Sequence, residues 1–256
     1  MRKQNQTLSS DSLATSYNET LAHIQGVAQR AGRALDDITL IAVTKNQSIE
    51  AIERLYELGH RDFGENRVAE ASTKIALFSA QLQSNPSPPI WHMIGHIQSR
   101  KARTSVSLFN LIHSVDTIKL AKRLSRFAAE SDTTVSILLQ CNVSGEHTKS
   151  GFTASDIVHN TTQWSDLVNS ISQIAGLPNL KVVGLMTMAP ITNEPEKSRP
   201  IFRNLRILKD KILQRFPRLP IKHLSMGMSA DYAIAIQEGA TMLRIGTSIF
   251  GHRNTK

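Results

Sequence analysis

The sequence predicts an α/β protein whose strands close into a (β/α)₈ TIM barrel, and three observations carry that prediction. Eight short apolar, β-branched runs are spaced along the chain, at residues 38–44, 62–64, 90–94, 111–115, 135–141, 181–186, 221–224 and 242–245. Segments of helical periodicity lie between them, and strands alternating with helices build right-handed parallel βαβ units. Eight such units in 256 residues match the size at which a parallel sheet closes on itself. An open doubly wound sheet stays as the alternative, because closure leaves no periodic mark. Against it, no GxGxxG follows the first strand, where a dinucleotide fold needs one.

Taken in order, residues 1–11 are polar with no apolar stretch of the kind a secretory signal needs, and are expected to be a disordered tail before a single domain over residues 12–256. In residues 12–34, Leu21, Ile24, Val27 and Ala28 recur at three and four residues, which predicts an amphipathic helix closed near Gly32. Further helices are expected over residues 49–58, with Gly59 as a stop, then 67–82, 97–109, 117–129, 154–174, 195–216 and 230–238, with Gly239 as another stop. Two stretches are irregular: a proline-rich surface loop at 84–89 and a polar loop at 144–151 that leaves a strand C-terminus, where barrels keep their chemistry.

Composition narrows the class. With 40% hydrophobic residues the chain can bury one substantial core. Lys and Arg number 30 against 21 Asp and Glu, a formal charge of +9 that favours anionic partners without naming one. Cys141 is the only cysteine, which excludes an intramolecular disulfide and a cysteine-based zinc cluster; its apolar surroundings predict a buried, inert thiol. No run approaches the roughly 18 to 20 apolar residues of a membrane span. The expectation is a soluble, cytoplasmic protein with no membrane partner.

Lys45 follows Ile-Ala-Val-Thr at the end of the first strand, which in a barrel places it at the mouth of the C-terminal face. An ammonium there is costly to bury, and desolvation or nearby positive charge favours the neutral amine that can attack an aldehyde. A lysine that begins a loop and faces water is the alternative. Near the C-terminus, Leu224-Ser225-Met226-Gly227-Met228-Ser229-Ala230-Asp231 ends the seventh strand, with Ser229 as the expected N-cap of a helix whose first turn would hold an anion. Leu243-Arg244-Ile245-Gly246-Thr247 follows from the eighth strand, where Gly246 allows close backbone approach and Thr247 adds donors. A serine cap and a glycine turn need no ligand singly. Both after strands seven and eight, where this fold holds phosphate, they point to one. Arg244 faces opposite to Leu243 and Ile245, either into the barrel or past the helices to water. His92, His96 and His113 lack clustered carboxylates or cysteines and are expected to be hydrogen-bonded histidines, so no metal is expected. Arg100, Lys101 and Arg103 read as a solvated helix face, since no nucleic-acid module accompanies them and aromatics are only 5%.

Several separated motifs carry a resemblance over residues 21–250: Ile41-Ala42-Val43-Thr44-Lys45, Phe63-Gly64-Glu65-Asn66, Trp91-His92-Met93-Ile94-Gly95-His96-Ile97-Gln98, Ile112-His113-Ser114-Val115-Asp116, Asn142-Val143-Ser144-Gly145-Glu146, Gly184-Leu185-Met186-Thr187 and the two C-terminal segments. On these the chain resembles the pyridoxal-phosphate homeostasis proteins, single-domain relatives of the N-terminal barrel of alanine racemase. The resemblance implies a pyridoxal 5'-phosphate cofactor bound as a Schiff base on Lys45, with Asn66 close by. It implies a phosphate held by Ser229, Gly246 and Thr247 with help from Ser225, Met226 and Met228, and Arg244 at the ring nitrogen. Where relatives carry an aromatic after Glu-Asn this chain has Arg67, and where they read Gln-Ser-Asn-Lys it has Arg100; both add positive charge near the mouth.

Racemisation needs a second acid/base group opposite the lysine. In related racemases a tyrosine from a separate domain of the partner subunit supplies it; here Tyr17, Tyr56 and Tyr232 are not obvious counterparts. The expectation is therefore a monomeric, non-catalytic carrier that maintains vitamin B6 and amino-acid homeostasis and passes the cofactor to apoenzymes. The competing readings are a weak amino-acid racemase and a nucleic-acid or protein binding module that uses the net charge.

Overall fold

Strand register shows how the chain closes. The computed structural model describes residues 10–81, 87–146, 148–190 and 192–251. Eight parallel strands form the ring: β1 (Thr39–Val43), β2 (Asp62–Glu65), β3 (Ile90–Met93), β4 (Leu111–Val115), β5 (Val135–Asn142), β7 (Leu180–Met186), β8 (His223–Ser225) and β9 (Met242–Ile245), with β9 pairing back onto β1 through Leu40–Leu243 and Ile41–Arg244. A two-residue strand, β6 (Phe152–Thr153), lies outside the ring against Cys141 and Asn142 of β5. The open-sheet alternative is thereby excluded.

The helices are α1 (Ser10–Arg30), α2 (Ile49–Glu57), α3 (Val68–Gln81), α4 (Ala102–Leu108), α5 (Ile118–Glu130), α6 (Thr161–Ala175), α7 (Arg199–Arg215), α8 (Tyr232–Gln237) and the single turn α9 (Thr247–Phe250). Ser48 and Thr117 cap α2 and α5 by accepting backbone N–H groups of Ala51 and Leu120, which removes orphan donors at those ends. After the last strand, α9 is too short to cover the barrel wall. The N-terminal α1 packs against α2, α8 and α9 and covers the gap, burying Leu13, Tyr17, Ile24, Val27 and Ala28.

Several expected boundaries shift. The first helix starts at Ser10, inside the segment expected to be a tail; the rest of that segment, residues 1–9, and part of the proline-rich loop, residues 82–86, lie outside the described residues. The helix expected from residue 154 begins only at Thr161, because Asn160 caps it through Gln163 N–H at 2.9 Å while β6 occupies the approach. The helix expected from 97 opens as a 3-10 turn at Ser99–Lys101, and the one expected from 195 opens as a 3-10 turn at Pro195–Ser198.

Alternation sorts the core into two layers. Leu40, Ala42, Leu243 and Ile245 face outward into the helix-packed core. Ile41, Leu111, Leu138, Met186 and Met242 form a separate cluster inside the ring. That interior also holds polar groups, His92, His113, Ser225 and Arg244, each at most 4% exposed. Buried polar groups need partners, and theirs build the site.

Candidate functional site

The site forms at the C-terminal mouth, where register sets neighbouring side chains at one height. Val43 of β1 pairs with Gly64 of β2, so Lys45 and Asn66, each two residues further on, leave adjacent strands side by side. Gly246 lies against Val43 from the other side, with its Cβ position 3.4 Å from the Val43 Cβ. Lys45 thus stands between Asn66 and the loop after β9. It is half-buried.

The residues flanking Lys45 are pinned by a charged cluster. Lys74 Nζ, on α3, donates to the Thr44 carbonyl at 2.6 Å, to Glu65 Oε1 at 2.9 Å and to Glu70 Oε1 at 2.6 Å. Thr44 Oγ1 donates to the same Glu65 oxygen at 2.7 Å, and Asn46 N–H donates to Glu70 Oε1 at 2.5 Å. Asn46 sits at φ 60, a left-handed turn that asparagine tolerates. The backbone is therefore held immediately before and after Lys45. Burial pushes the Glu65 carboxyl up, opposed by the Lys74 and Thr44 hydrogen bonds. Lys74 and Glu70 were invisible to motif reading, because their contacts to the Lys45 turn span 30 and 24 residues.

Asn66 is fixed by its backbone. A Cβ on Gly95 would stand 2.2 Å from the Asn66 carbonyl oxygen, so the turn after β3 packs on Asn66 only because residue 95 is glycine. Its side-chain Oδ1 is buried and has no hydrogen-bond partner.

The loops after β8 and β9 are stitched together. Ser229 is not a helix cap, contrary to expectation: Asp231 occupies the N-cap position, and its Oδ1 turns back to accept the Met228 N–H at 2.7 Å, so the helix begins at Tyr232. Ser229 Oγ instead accepts the Ser248 N–H at 3.2 Å and joins the two loops. Gly227, at φ 93 with a Cβ position 2.6 Å from Ala235 Cβ, makes the reversal that brings Ser229 there. The Met226 N–H goes to Met242 O at 3.2 Å, so both methionines act here through loop shape, their N–H groups being engaged within the chain.

Arg244 points into the barrel. Its Nη1 donates to Ser225 Oγ at 2.5 Å and its Nη2 to the Thr187 carbonyl at 2.8 Å. Burial pulls its pKa down to about 10, still far above neutrality, so the guanidinium keeps its charge. His113 Nδ1 lies 2.9 Å from the same Ser225 hydroxyl, and His92 bonds His113 at 3.0 Å, while His96 pairs with Asp116 away from them. Among the described residues no group of histidines, cysteines and acids has the makings of a metal site. The buried Cys141 thiol is pushed up to about 12 and is unreactive at neutral pH. No helix among the described residues is long and apolar enough to cross a membrane.

An amine between a buried orphan carbonyl and two joined loops, above a fixed guanidinium, defines a class of barrel before it defines a protein. Residues 20–254 match the alanine racemase N-terminal domain family. A solved alanine racemase from Clostridium difficile 630 shares the fold at TM-score 0.69 and 16% identity, over 96% of this chain and 61% of that one. The nearer relatives are more specific. The pyridoxal phosphate homeostasis protein of Aquifex aeolicus (strain VF5) is 38% identical over 237 residues, 92% of this chain and 96% of its own length. PipY of Synechococcus elongatus PCC7942, solved with PLP bound, is 34% identical at TM-score 0.73, covering 90% of this chain and all of that one, 100%. The chain belongs to the pyridoxal phosphate homeostasis protein family.

Proposed function

We propose that this protein binds pyridoxal 5'-phosphate reversibly at the barrel mouth, as a Schiff base on Lys45, and buffers or hands on the cofactor without turning over a substrate. The observation that carries the reading is the buried, doubly bonded Arg244 guanidinium beneath a lysine whose neighbours on both sides are clamped. The PLP-bound relative supports the choice of ligand.

The residues fit the group. Ser229, Gly246 and Thr247 line the joined loops and would take the phosphate, with Ser225, Met226 and Met228 supporting them from below and within the loop. Asn66 Oδ1, buried and unpartnered, would find a partner on the cofactor. Pyridoxal phosphate supplies an aldehyde that an amine can capture and a pyridine ring that can accept electrons when its nitrogen is protonated. Arg244, a permanent cation, would hold that nitrogen by donating to it rather than by surrendering a proton, and would keep the ring a weak electron sink. Carbanion chemistry would thereby be disfavoured, and holding favoured.

A racemase would also need a second acid/base group. The three tyrosines are committed elsewhere: Tyr17 OH to His60 Nδ1 at 3.2 Å, Tyr56 OH to the Ser87 carbonyl at 2.6 Å and Tyr232 OH to His23 Nδ1 at 2.7 Å. The test is a titration of apo protein with pyridoxal phosphate followed by visible absorbance, with a panel of amino acids then added. Saturable binding, transfer of the cofactor to a pyridoxal-phosphate apoenzyme, and no α-proton exchange above free cofactor are expected. Exchange above that level, abolished in Lys45→Ala, would establish an enzyme instead.

A further inference from the structure

The barrel interior carries a continuous polar line that the cofactor contacts do not require. Arg244 Nη1 meets Ser225 Oγ at 2.5 Å; Ser225 Oγ meets His113 Nδ1 at 2.9 Å; His113 Nε2 meets His92 Nδ1 at 3.0 Å; and His92 Nε2 meets Asp62 Oδ1 at 2.9 Å. Asp62 opens β2 at the opposite end of the barrel from Lys45. Ser225 and His113 are fully buried, His92 is 2% exposed, and only the Asp62 side chain, 23% exposed, reaches water.

With both imidazoles neutral, the chemistry of the two ends sets the direction of every proton between them. A guanidinium can only donate, and a carboxylate can only accept. Arg244 donates to Ser225, whose hydroxyl hydrogen then goes to a bare His113 Nδ1. A neutral His113 carries its proton on Nε2 and donates to a bare His92 Nδ1, and His92 Nε2–H donates to Asp62. The reverse order would set a bare His92 Nε2 against the Asp62 carboxylate, two acceptors at 2.9 Å, which repel. A second proton on His113 would add a cation beside Arg244 in a dry interior; burial, with His92, Arg244 and His223 nearby, holds its pKa well below the usual histidine value.

We propose that Asp62, His92, His113 and Ser225 form a one-way hydrogen-bond chain through the barrel that locks the Arg244 guanidinium beneath the site and sets how firmly it engages the cofactor's ring nitrogen. These are positioning residues; none reaches the mouth. The proposal rests on the cofactor reading above for its consequence, but not for its direction. Chains of aligned hydrogen bonds strengthen one another, and in a low-dielectric interior the terminal carboxylate adds to each dipole. The guanidinium is thereby held in one orientation through neutral acceptors, Ser225 and the Thr187 carbonyl, with the Asp231 carboxylate acting on it only through space.

Imidazole ¹⁵N spectra of the apo protein near neutral pH test the direction without any cofactor. His92 and His113 are expected as neutral rings with bare Nδ1 and protonated Nε2, and a proton on Nδ1 of either overturns the chain. In Asp62→Ala, His113 is expected to lose its single tautomer although Asp62 does not touch it; an unchanged His113 spectrum overturns the coupling. The consequence is read by pyridoxal-phosphate titration of His113→Leu and His113→Asn. Leu removes the acceptor for Ser225 and is expected to weaken binding about tenfold, the equivalent of one hydrogen bond of about 1.4 kcal/mol, with a shifted band for the bound cofactor. Asn, whose Oδ1 can still accept from Ser225, is expected to recover most of both. Wild-type affinity and spectrum in the Leu variant, or no recovery in the Asn variant, overturns the positioning role. A wild-type protein that binds no pyridoxal phosphate would end the functional reading, while the apo spectra would still decide the chain's direction.

Discussion

The two sides of the mouth are built from opposite materials. Around Lys45 the support is ionic: Glu65, Glu70 and Lys74 meet outside the strand ring and clamp the backbone at Thr44 and Asn46. Around Arg244 the support is neutral: a serine hydroxyl, a carbonyl and two imidazoles inside the ring. The difference follows from hydration. The Lys74 side chain keeps 11% exposure and Glu70 23%, so the ammonium and one of its two carboxylates keep partial access to water while Glu65 is fully buried. Inside the ring such ions would lose their hydration with little return, whereas neutral acceptors satisfy one guanidinium without a second charge.

The ionic side breaks most sharply. Lys74→Met leaves Glu65 buried without its cation and frees the Thr44 carbonyl, and is expected to lower unfolding stability by about 3 kcal/mol in a urea titration at pH 7. The loss should shrink at acid pH as Glu65 takes up a proton. A difference independent of pH would show that the cluster acts through packing alone.

Gly95→Ala attacks Asn66 on the same side without altering any charge. Its Cβ must displace the Asn66 carbonyl, at a cost of about 2 kcal/mol, with cofactor affinity falling alongside. Unchanged affinity in a folded variant would remove Asn66 from the site.

On the neutral side, His113 is held uncharged by burial, so its folded pKa lies below the 6.5 of the unfolded chain. Below that pH the unfolded chain binds more protons than the folded one. Stability is therefore intact above about pH 6.5 and falls with acidification by up to about 1.4 kcal/mol per pH unit from this residue. Buried His60 and half-buried His223 shift the same way and add to the slope. His113→Asn should flatten the profile of Tm against pH between 6.5 and 5 by one histidine's share.

The smallest effect is expected where the two C-terminal loops meet. Ser229→Ala removes the acceptor for the Ser248 N–H and is expected to cost about 1 kcal/mol of stability, with a several-fold loss of cofactor affinity. Affinity equal to wild type would place the phosphate elsewhere.

What the sequence made legible was whatever strand position alone determines. Eight apolar runs and their spacing carried the barrel, and the ends of strands drew attention to Lys45, Gly246 and Thr247. The inward turn of Arg244 was one of two options until register showed Ile41 opposite it. Ser229 was found for a different reason from the one that holds it, because a cap signal cannot reveal that Asp231 competes for the same turn. Asn66 came from resemblance, since an asparagine after a strand has many uses. Lys74 was missed altogether, and His92 and His113 were read as hydrogen-bonded histidines without their pairing to each other. Their roles come from contacts across elements, and no local period encodes which side chains meet inside a closed sheet.

The central claim is that one amine at this mouth captures the cofactor's aldehyde. Borohydride reduction of protein saturated with pyridoxal phosphate, followed by peptide mass mapping, tests it most directly. A single adduct on Lys45, absent from Lys45→Ala, is the predicted result; an unmodified Lys45 with label on Lys74 or on surface lysines would contradict the account.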